Sequence, residues 1–170
     1  MANRRSEAVE DEFLEVLTRH EKLIYKVIRI YSHDSEERRE LFQEIVYQLW
    51  KSYGSFREES KVSTWLYRVA LNTAITYLRS YKKRPEHTSL QDERVASLQS
   101  CETPDKNEQS EQLYRAIKSL SEVDRALMML YLEDLSYREI AEVLGLSEDN
   151  VGVKLNRIKS RLRVTIGQVK

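Results

Sequence analysis

The chain of 170 residues contains a single cysteine, Cys101, which excludes an internal disulfide bond and a zinc site built from cysteines. Glycine (4) and proline (2) are also scarce. An all-β fold needs turn residues roughly every 8–12 positions, so this scarcity argues against one. The three histidines, His20, His33 and His87, are scattered through polar segments, and we expect no metal site.

Long apolar runs are missing as well. None reaches the roughly 18 residues of a membrane-spanning helix, and the segment MANRRSEAVEDEF lacks the apolar core of a signal peptide. We therefore expect a cytoplasmic protein that is not inserted in a membrane. No arrangement of serine, cysteine or carboxylate residues indicates catalysis, and no glycine-rich phosphate loop occurs. We expect neither an enzyme nor a cofactor or small-molecule substrate.

The charged residues are unevenly distributed, although the net charge is zero. Residues 61–84 hold six basic side chains and no acid, and residues 150–170 hold six more, again without an acid. The intervening residues 85–149 carry fifteen acids and six bases. Two positive stretches in an otherwise acidic chain predict two contacts with a polyanion such as DNA. Solvated helix faces are the alternative, although such faces usually mix both signs.

Helical periodicity covers most of the chain. It is present in residues 8–32, in a segment that Ser35 would cap and that runs to about Trp50, and in a segment from Thr64 to about Tyr81 that Ser63 would cap. Between the last two, YGSFREESKV is predicted to be a loop that turns at Gly54.

The periodicity fails from residue 82 to residue 107, where both prolines occur, and this segment is predicted to be a flexible linker. Helical patterns return at residues 113–120 and behind a cap at Ser121. The sequence therefore predicts an all-α fold: a helical domain in residues 1–81, the linker 82–107, and a second helical domain in residues 108–170.

The segment SYREIAEVLGLSEDNVGVKLNRIKSR, residues 136–161, has the pattern of a helix-turn-helix. Ser136 and Glu139 have the spacing of a capping box, and Gly145 permits the positive φ of a tight turn. Behind a cap at Ser147, apolar residues recur at i, i+4, i+7 and i+11: Val151, Leu155, Ile158 and Leu162. A plain helical hairpin is the alternative. In a helix-turn-helix the second helix enters the major groove of DNA.

The exposed side of that second helix is the predicted reader of duplex DNA. Lysine and arginine reach guanine edges or phosphates, and asparagine reads adenine. Val153 is also exposed in this pattern. The predicted DNA-binding residues are Ser147, Asn150, Gly152, Lys154, Asn156, Arg157 and Arg161.

The other basic helix, KVSTWLYRVALNTAITYLR, presents a Trp, an amide and two guanidiniums on one face: Trp65, Arg68, Asn72 and Arg79. This combination suits a DNA backbone with unstacked bases. A core position for Trp65 is an equally good interpretation. The adjoining apolar face consists of Leu66, Val69, Ala70, Thr73 and Tyr77. Outside it lie Leu71, Ile75 and Leu78, so the helix is not cleanly two-faced.

Two segments together resemble one protein family. LFQEIVYQLWKSYGSFREESKVSTWLYRVALNTAITYLR resembles region 2 of bacterial sigma factors of the extracytoplasmic-function (ECF) class, and AIKSLSEVDRALMMLYLEDLSYREIAEVLGLSEDNVGVKLNRIKSRLR resembles their region 4. The likeness covers about residues 10–81 and 108–165, in the family's order. It implies a factor that directs core RNA polymerase to promoters and assists their melting. The alternatives are a stand-alone helix-turn-helix regulator that binds duplex DNA without polymerase, and a bundle that binds only proteins.

The resemblance also implies partners and site residues. The helix around residues 37–50 would dock on the clamp coiled coil of the polymerase β′ subunit, through Leu41, Phe42, Gln43, Glu44, Gln48 and Trp50. The loop 55–63 and the helix after it would open the −10 element, through Phe56, Lys61, Ser63, Trp65, Arg68, Asn72 and Arg79. The helix-turn-helix would read the −35 element. Further implied partners are the polymerase β flap, promoter DNA and an anti-sigma factor.

The chain departs from the family pattern at three positions. Thr76 stands where many members have Asp, and Gly152 and Val153 stand where Arg or Lys and Ser are common. The last two departures remove polar side chains from the predicted reading face. The −35 sequence that the family usually reads therefore does not transfer directly to this chain.

Overall fold

The computed structural model describes residues 2–56, 60–83 and 108–167. These residues form eight α-helices, and no strand occurs among them, as the predicted all-α fold requires. The helices are α1 (Ala2–Arg19), α2 (Glu21–Tyr31), α3 (Ser35–Tyr53), α4 (Val62–Lys82), α5 (Glu108–Lys118), α6 (Glu122–Leu132), α7 (Tyr137–Leu144) and α8 (Glu148–Gly167).

The N-terminal periodicity corresponds to two helices, because α1 ends before His20 and α2 begins after it. Helix α2 packs against α3. Its buried side includes Ile24, Val27 and Ile28, which face a stripe on α3 with a spacing of four residues: Glu37, Leu41, Ile45 and Leu49. Apolar burial on two neighbouring helices thus forms the core of this part of the chain.

The predicted cap of α3 at Ser35 is wrong by one residue. Asp34 has the extended backbone of an N-cap, and its carboxylate accepts hydrogen bonds from the backbone N–H groups of Glu36 and Glu37 at 3.0 and 2.9 Å. Ser35 is already helical. Both residue types cap helices, and a carboxylate at this position also lies favourably at the positive end of the helix dipole.

The predicted cap of α4 at Ser63 is also wrong, since the helix begins at Val62 and Ser63 lies in its first turn. As the sequence predicts, the helix is not cleanly two-faced. Leu71, Ile75 and Leu78 lie outside the apolar arc and are 1%, 9% and 2% exposed. Helix α4 is therefore buried around more than half of its circumference, which leaves a narrow exposed strip.

Helix α5 was predicted at residues 113–120 but spans Glu108–Lys118, whereas α6 and α7 begin as the sequence predicts. The hydroxyl of Ser121 accepts a hydrogen bond from the backbone N–H of Asp124 at 3.3 Å. Ser136 and Glu139 form both halves of the capping box that opens α7. Helices α5, α6 and α7 all pack against α8, whose buried stripe is the predicted one: Val151, Leu155, Ile158 and Leu162.

By the density of contacts the chain separates into two compact units, Met1–Ala74 and Ile75–Lys170. The last turns of α4 are grouped with the second unit, in which Lys82 Nζ donates to Glu122 Oε1 at 3.1 Å. The pKa of the Glu122 carboxyl lies below its ordinary value, first because its own backbone N–H donates to it and then because of Lys82. The predicted domain boundaries at residues 81 and 108 stay a prediction.

Candidate nucleic-acid interface

The joint between α7 and α8 has the geometry of a helix-turn-helix. Gly145 ends α7 in the left-handed region, with φ 66° and ψ 37°. The backbone N–H groups of Gly145 and Leu146 both donate to the carbonyl of Ala141. Ser147 then accepts from the backbone N–H of Asn150 at 3.3 Å and so caps α8. The turn is short because one glycine reverses the chain while the two caps satisfy the helix ends.

The buried stripe of α8 leaves the opposite face open. Asn150, Asn156 and Arg157 are exposed on it, as predicted, and Val153 is 66% exposed. Gly152 and Lys154 are half-buried at its margins. The open face of α8 therefore carries two amides, one guanidinium and one apolar side chain.

Two basic residues of α8 face the rest of the second unit. Lys159 Nζ lies 3.8 Å from the ring centroid of Tyr131 on α6, the distance of a cation–π contact. Arg161 Nη1 lies 3.8 Å from Asp124 Oδ2, although the Arg161 side chain is 56% exposed. Within the acid-free stretch, Arg157 thus lies on the open face, whereas Lys159 and Arg161 also interact within the unit.

Tyr137 is a surface residue of this joint that the sequence analysis missed. It is the first residue of α7, is 38% exposed, and lies beside Gly152 of α8. A Cβ atom built on Gly152 would be 3.4 Å from Tyr137 Cε2. The phenol ring thus lies beside the point where a side chain on residue 152 would begin. The one sequence signal for Tyr137 was its place directly after the predicted cap Ser136, within the helix-turn-helix segment.

The exposed strip of α4 carries three of the predicted polar residues, Arg68, Asn72 and Arg79. Lys61 is exposed just before the helix, whereas Ser63 and Phe56 are half-buried. Residues 57–59 of the predicted loop lie outside the described residues. The strip therefore presents guanidinium and amide groups in a row along one side of the helix.

Trp65 is buried, so the alternative of a core aromatic is the observed one. It is 7% exposed, and its ring centroid lies 4.9 Å from that of Phe56 and 6.1 Å from that of Tyr53. Trp65 lies on the same face of the helical wheel as Arg68 and Asn72, but Phe56, in the connection between α3 and α4, packs over it. In this structure Trp65 holds that connection against α4 and offers no open ring for stacking.

Trp65 belongs to a larger aromatic cluster in the first unit. Phe13 of α1 makes edge contacts with Trp50 and Tyr53 of α3, at centroid distances of 5.1 and 5.3 Å. Through Tyr53 the cluster continues to Trp65 and Phe56. Aromatic edge contacts contribute about 0.5–1.5 kcal/mol each beyond the area they bury. The cluster connects α1, α3 and α4 and fixes where the connecting loop leaves α3.

The predicted polymerase-binding residues of α3 lie on different sides of the helix. Leu41 is fully buried, and Phe42 is half-buried and stacks on Tyr25 at a centroid distance of 5.6 Å. Gln43 and Glu44 are exposed, and Glu44 accepts a hydrogen bond at 2.9 Å from half-buried Gln48.

Trp50 is 40% exposed on the open side of α3. Tyr47, which the sequence analysis missed, is 57% exposed and lies between Gln43 and Trp50 on the same side. Its spacing of four residues from Gln43 and three from Trp50 was a signal that could have revealed it.

Within the described ranges, no group of three or more His, Cys, Asp or Glu side chains is arranged to hold a metal ion. Among the helices so described, none is both long and apolar enough to cross a membrane.

The fold and these surfaces define a helical DNA-binding protein with a helix-turn-helix in its second unit. Residues 16–84 match the family model "Sigma-70 region 2", and residues 110–162 match "Sigma-70, region 4". The chain belongs to the ECF class of RNA polymerase sigma factors. It is thus a factor that directs RNA polymerase in transcription initiation, and nothing observed favours the stand-alone regulator.

Named relatives agree with this assignment. The chain is 31% identical to the ECF RNA polymerase sigma-E factor of Haemophilus influenzae, over 72% of this chain and 71% of that one. It is 29% identical to the RNA polymerase sigma-H factor of Pseudomonas aeruginosa, over 86% and 81%. The corresponding identity to the ECF sigma factor SigM of Mycobacterium tuberculosis is 26%, over 91% and 77%.

Two solved structures show the same fold. The sigma factor RpoE of Bartonella quintana, in complex with the anti-sigma factor NepR, aligns with a TM-score of 0.67 at 20% identity and covers 93% of this chain and 96% of its own. CnrH, in complex with the cytosolic domain of CnrY, aligns with a TM-score of 0.66 at 18% identity and covers 95% and 91%.

Proposed function

We propose that this sigma factor reads the −35 element with α8, engages the −10 element with the exposed strip of α4, and binds core RNA polymerase through the open side of α3. The observation that carries the proposal is the α7–α8 joint, in which the left-handed Gly145 and the Ser147 cap position α8 so that its exposed face is free of acids from Asn150 onward. A helix of this width fits the major groove of B-DNA.

The exposed residues of α8 support direct readout. Asn150 and Asn156 have the amides that bind adenine N6 and N7, and Arg157 has the fork that binds guanine O6 and N7. Lys154, half-buried at the margin, suits a phosphate contact. Ser147 would contribute by capping α8, and Gly152 by leaving room for the ring of Tyr137 beside it. Neither residue supplies a side chain that reads a base.

The strip of α4 supports contact with an opened strand. Arg68, Asn72 and Arg79 combine phosphate binding with an amide that can hydrogen-bond an unstacked base. Trp65 and Phe56 would contribute by holding the loop that precedes the helix, since Trp65 is buried against it. Extruding a base from the duplex costs a few kcal/mol. Binding of the extruded bases to this strip would offset that cost and so drive melting.

The open side of α3 supports protein binding. Gln43, Glu44 and Trp50, together with Tyr47, form a mixed surface of amide, carboxylate and aromatic groups next to a buried Leu41. Exposed aromatic residues are enriched in protein interfaces. We assign this surface to the clamp coiled coil of the polymerase β′ subunit and expect the second unit to contact the β flap.

We further propose that an anti-sigma factor binds this protein, because the sigma factor RpoE of similar fold is in complex with the anti-sigma factor NepR. Regulation by such a partner does not require a small-molecule site. We also propose that the protein acts by binding alone, without catalysis or a cofactor, and that it works in the cytoplasm with the polymerase.

Run-off transcription tests the proposal. Holoenzyme formed from core RNA polymerase and this protein first selects a promoter fragment from the genome. That fragment is then transcribed by purified core polymerase, alone and with this protein. We expect a defined transcript start only when both are present. A start that does not depend on this protein would contradict the proposal, and tight operator binding without polymerase would favour the stand-alone regulator.

A double variant tests the role of α8. Lys154→Ala with Arg157→Ala removes one phosphate contact and one base contact, so we expect −35-dependent transcription to fall by at least tenfold, at about 1–3 kcal/mol per base contact. Binding to core polymerase, measured by fluorescence anisotropy, should stay unchanged. The matched control is Lys22→Ala with Arg115→Ala, which removes the same charge from exposed residues outside α8. Loss of core binding in the first variant would contradict this assignment.

A further inference from the structure

Val153 is the most exposed large apolar side chain in the described residues, at 66%. It lies on α8, one position after Gly152 and in the middle of the surface that the proposed function assigns to DNA. A valine exposed to this extent contributes little to the stability of the fold through burial. Its side chain is therefore open to contact with a DNA base at the surface that the proposed function assigns to α8.

The helical geometry places Val153 at the centre of the reading face. At about 100° per residue it lies roughly opposite the buried Val151. Its neighbours three or four positions away surround it on the helix surface: Asp149, Asn150, Asn156 and Arg157. Each of these neighbours is polar and exposed.

Beside Val153, the position of Gly152 carries no side chain that could reach past the valine. Tyr137 closes that side, because its Cε2 atom lies 3.4 Å from where a Cβ atom on Gly152 would be. At these two positions α8 thus presents bare backbone and an exposed isopropyl group. A DNA base under this part of α8 would meet an apolar surface.

The major groove contains one apolar group, the C5 methyl of thymine. A guanine edge under Val153 would leave the N7 and O6 acceptors without a donor, and a cytosine edge would leave the N4 donor without an acceptor. Unpaired polar groups of this kind cost about 1–3 kcal/mol each when they are desolvated. Thymine alone offers a methyl group that a valine side chain can bury.

We infer that Val153 is a specificity-determining residue that contacts the C5 methyl of a thymine in the −35 element. The inference rests on the proposed function of α8 and adds the base type that one of its positions selects. The flanking Asn150, Asn156 and Arg157 read hydrogen-bonding edges of neighbouring base pairs. The preferred −35 element therefore contains a thymine whose methyl group, and not only its pairing, is recognised.

The test compares thymine with deoxyuridine, which differs only by that methyl group. A −35 element is first selected from a randomised pool by holoenzyme, that is, core polymerase with the full chain. Each thymine of the selected element is then replaced singly by deoxyuridine, on either strand, and holoenzyme binding is measured by anisotropy. We expect one position at which the replacement weakens binding about fourfold, the size of one buried methyl group.

Two variants assign that effect to a residue. With Val153→Ala, thymine and deoxyuridine at the sensitive position should bind equally, because the contact is lost. The matched control is Val164→Ala, since Val164 is also an exposed valine on α8, at 59%, but lies near the end of the helix. It should keep the fourfold difference. Both side chains are exposed, so both variants should retain the helical circular dichroism of the parent.

The outcomes separate the inference from the proposed function. If scrambling the whole −35 element leaves holoenzyme binding unchanged, the proposed function of α8 is wrong. If scrambling abolishes binding but no deoxyuridine replacement weakens it, the inference about Val153 is overturned while α8 keeps its role. The inference is also overturned if Val153→Ala keeps the full thymine preference.

Discussion

Gly145 and Gly152 lie seven residues apart in the helix-turn-helix, but their backbones have different requirements. Gly145 has φ 66°, in the left-handed region that a Cβ atom disfavours, and no neighbouring atom lies within 4 Å of an added Cβ. Gly152 has ordinary helical backbone, and an added Cβ would make a normal contact with Tyr137 at 3.4 Å. The first glycine is thus required by the turn, and the second only costs helix stability.

We therefore predict opposite effects of the same substitution. Gly145→Ala should lower the free energy of unfolding of the second unit by about 1–2 kcal/mol, since it forces alanine into the left-handed region. Gly152→Ala should raise it by about 0.5–1 kcal/mol through higher helix propensity. Denaturant unfolding followed by circular dichroism measures both. If both substitutions changed the free energy of unfolding in the same direction, this account of the turn would be contradicted.

Trp65 and Asn72 occupy one face of α4, yet one is buried and the other exposed. Trp65→Ala should lower the free energy of unfolding by about 3–5 kcal/mol, as for other buried aromatic residues. Asn72→Ala should change it by less than about 0.5 kcal/mol but reduce the fraction of promoter that opens. Unfolding curves and permanganate reactivity of the −10 thymines provide the two measurements. A stable Trp65→Ala protein would show that the aromatic cluster does not hold the loop.

At the scale of elements, the short helix α7 depends on its N-terminal cap. It has only eight residues, and its first turn is held by the capping box of Ser136 and Glu139. The Ser136 hydroxyl and the Ser136 backbone N–H are 2.9 and 3.0 Å from Glu139 Oε2. Isolated helices of this length are not stable in water, so the cap and the packing against α8 must both contribute.

Ser136→Ala should accordingly lower the free energy of unfolding of the second unit by about 1 kcal/mol. The control is Ser160→Ala, which changes an exposed serine within α8 and should alter stability by less than about 0.5 kcal/mol. Thermal unfolding compares the two variants. A destabilisation by Ser160→Ala as large as that by Ser136→Ala would indicate that capping is not the cause.

At the scale of the whole molecule, the zero net charge bears on how DNA is bound. The acids of residues 85–149 offset the two basic stretches, so the long-range attraction to a duplex is weak. A factor that should act only with polymerase benefits from low affinity for DNA on its own. Each unit also presents only a few exposed basic side chains on its proposed DNA surface.

We predict that the full chain alone binds promoter duplex with a Kd of about 10⁻⁶ M or weaker at physiological salt, within the range of non-specific binding. With core polymerase, binding should be in the range of specific complexes, about 10⁻⁸ M or tighter. Anisotropy titrations with and without polymerase make the comparison. Nanomolar, sequence-specific binding by the chain alone would contradict the prediction and favour a stand-alone regulator.

The sequence by itself determined where α6, α7 and α8 begin and the turn between α7 and α8, but not the bounds of α5. Ser121, Ser136 and Ser147 cap as predicted, and Gly145 has the positive φ expected of it. These features depend on residues within one or two turns of each other, and the buried stripe of α8 follows from helical periodicity alone. The same local signals failed at Ser35, where the neighbouring Asp34 is an equally good cap and only the backbone conformation distinguishes them.

Tertiary structure decided exposure where another segment packs on the predicted outer face of a helix. Trp65 has the periodicity of an exposed residue, but Phe56 and Tyr53 cover it. Tyr137 lies beside Gly152, and Lys159 lies over Tyr131, each through a contact between two helices. Periodicity places a residue on a face of its own helix, but burial depends on what other segments pack there. Periodicity predicts that Val153 lies on the outer face of α8, and the packed structure shows that it remains 66% exposed there.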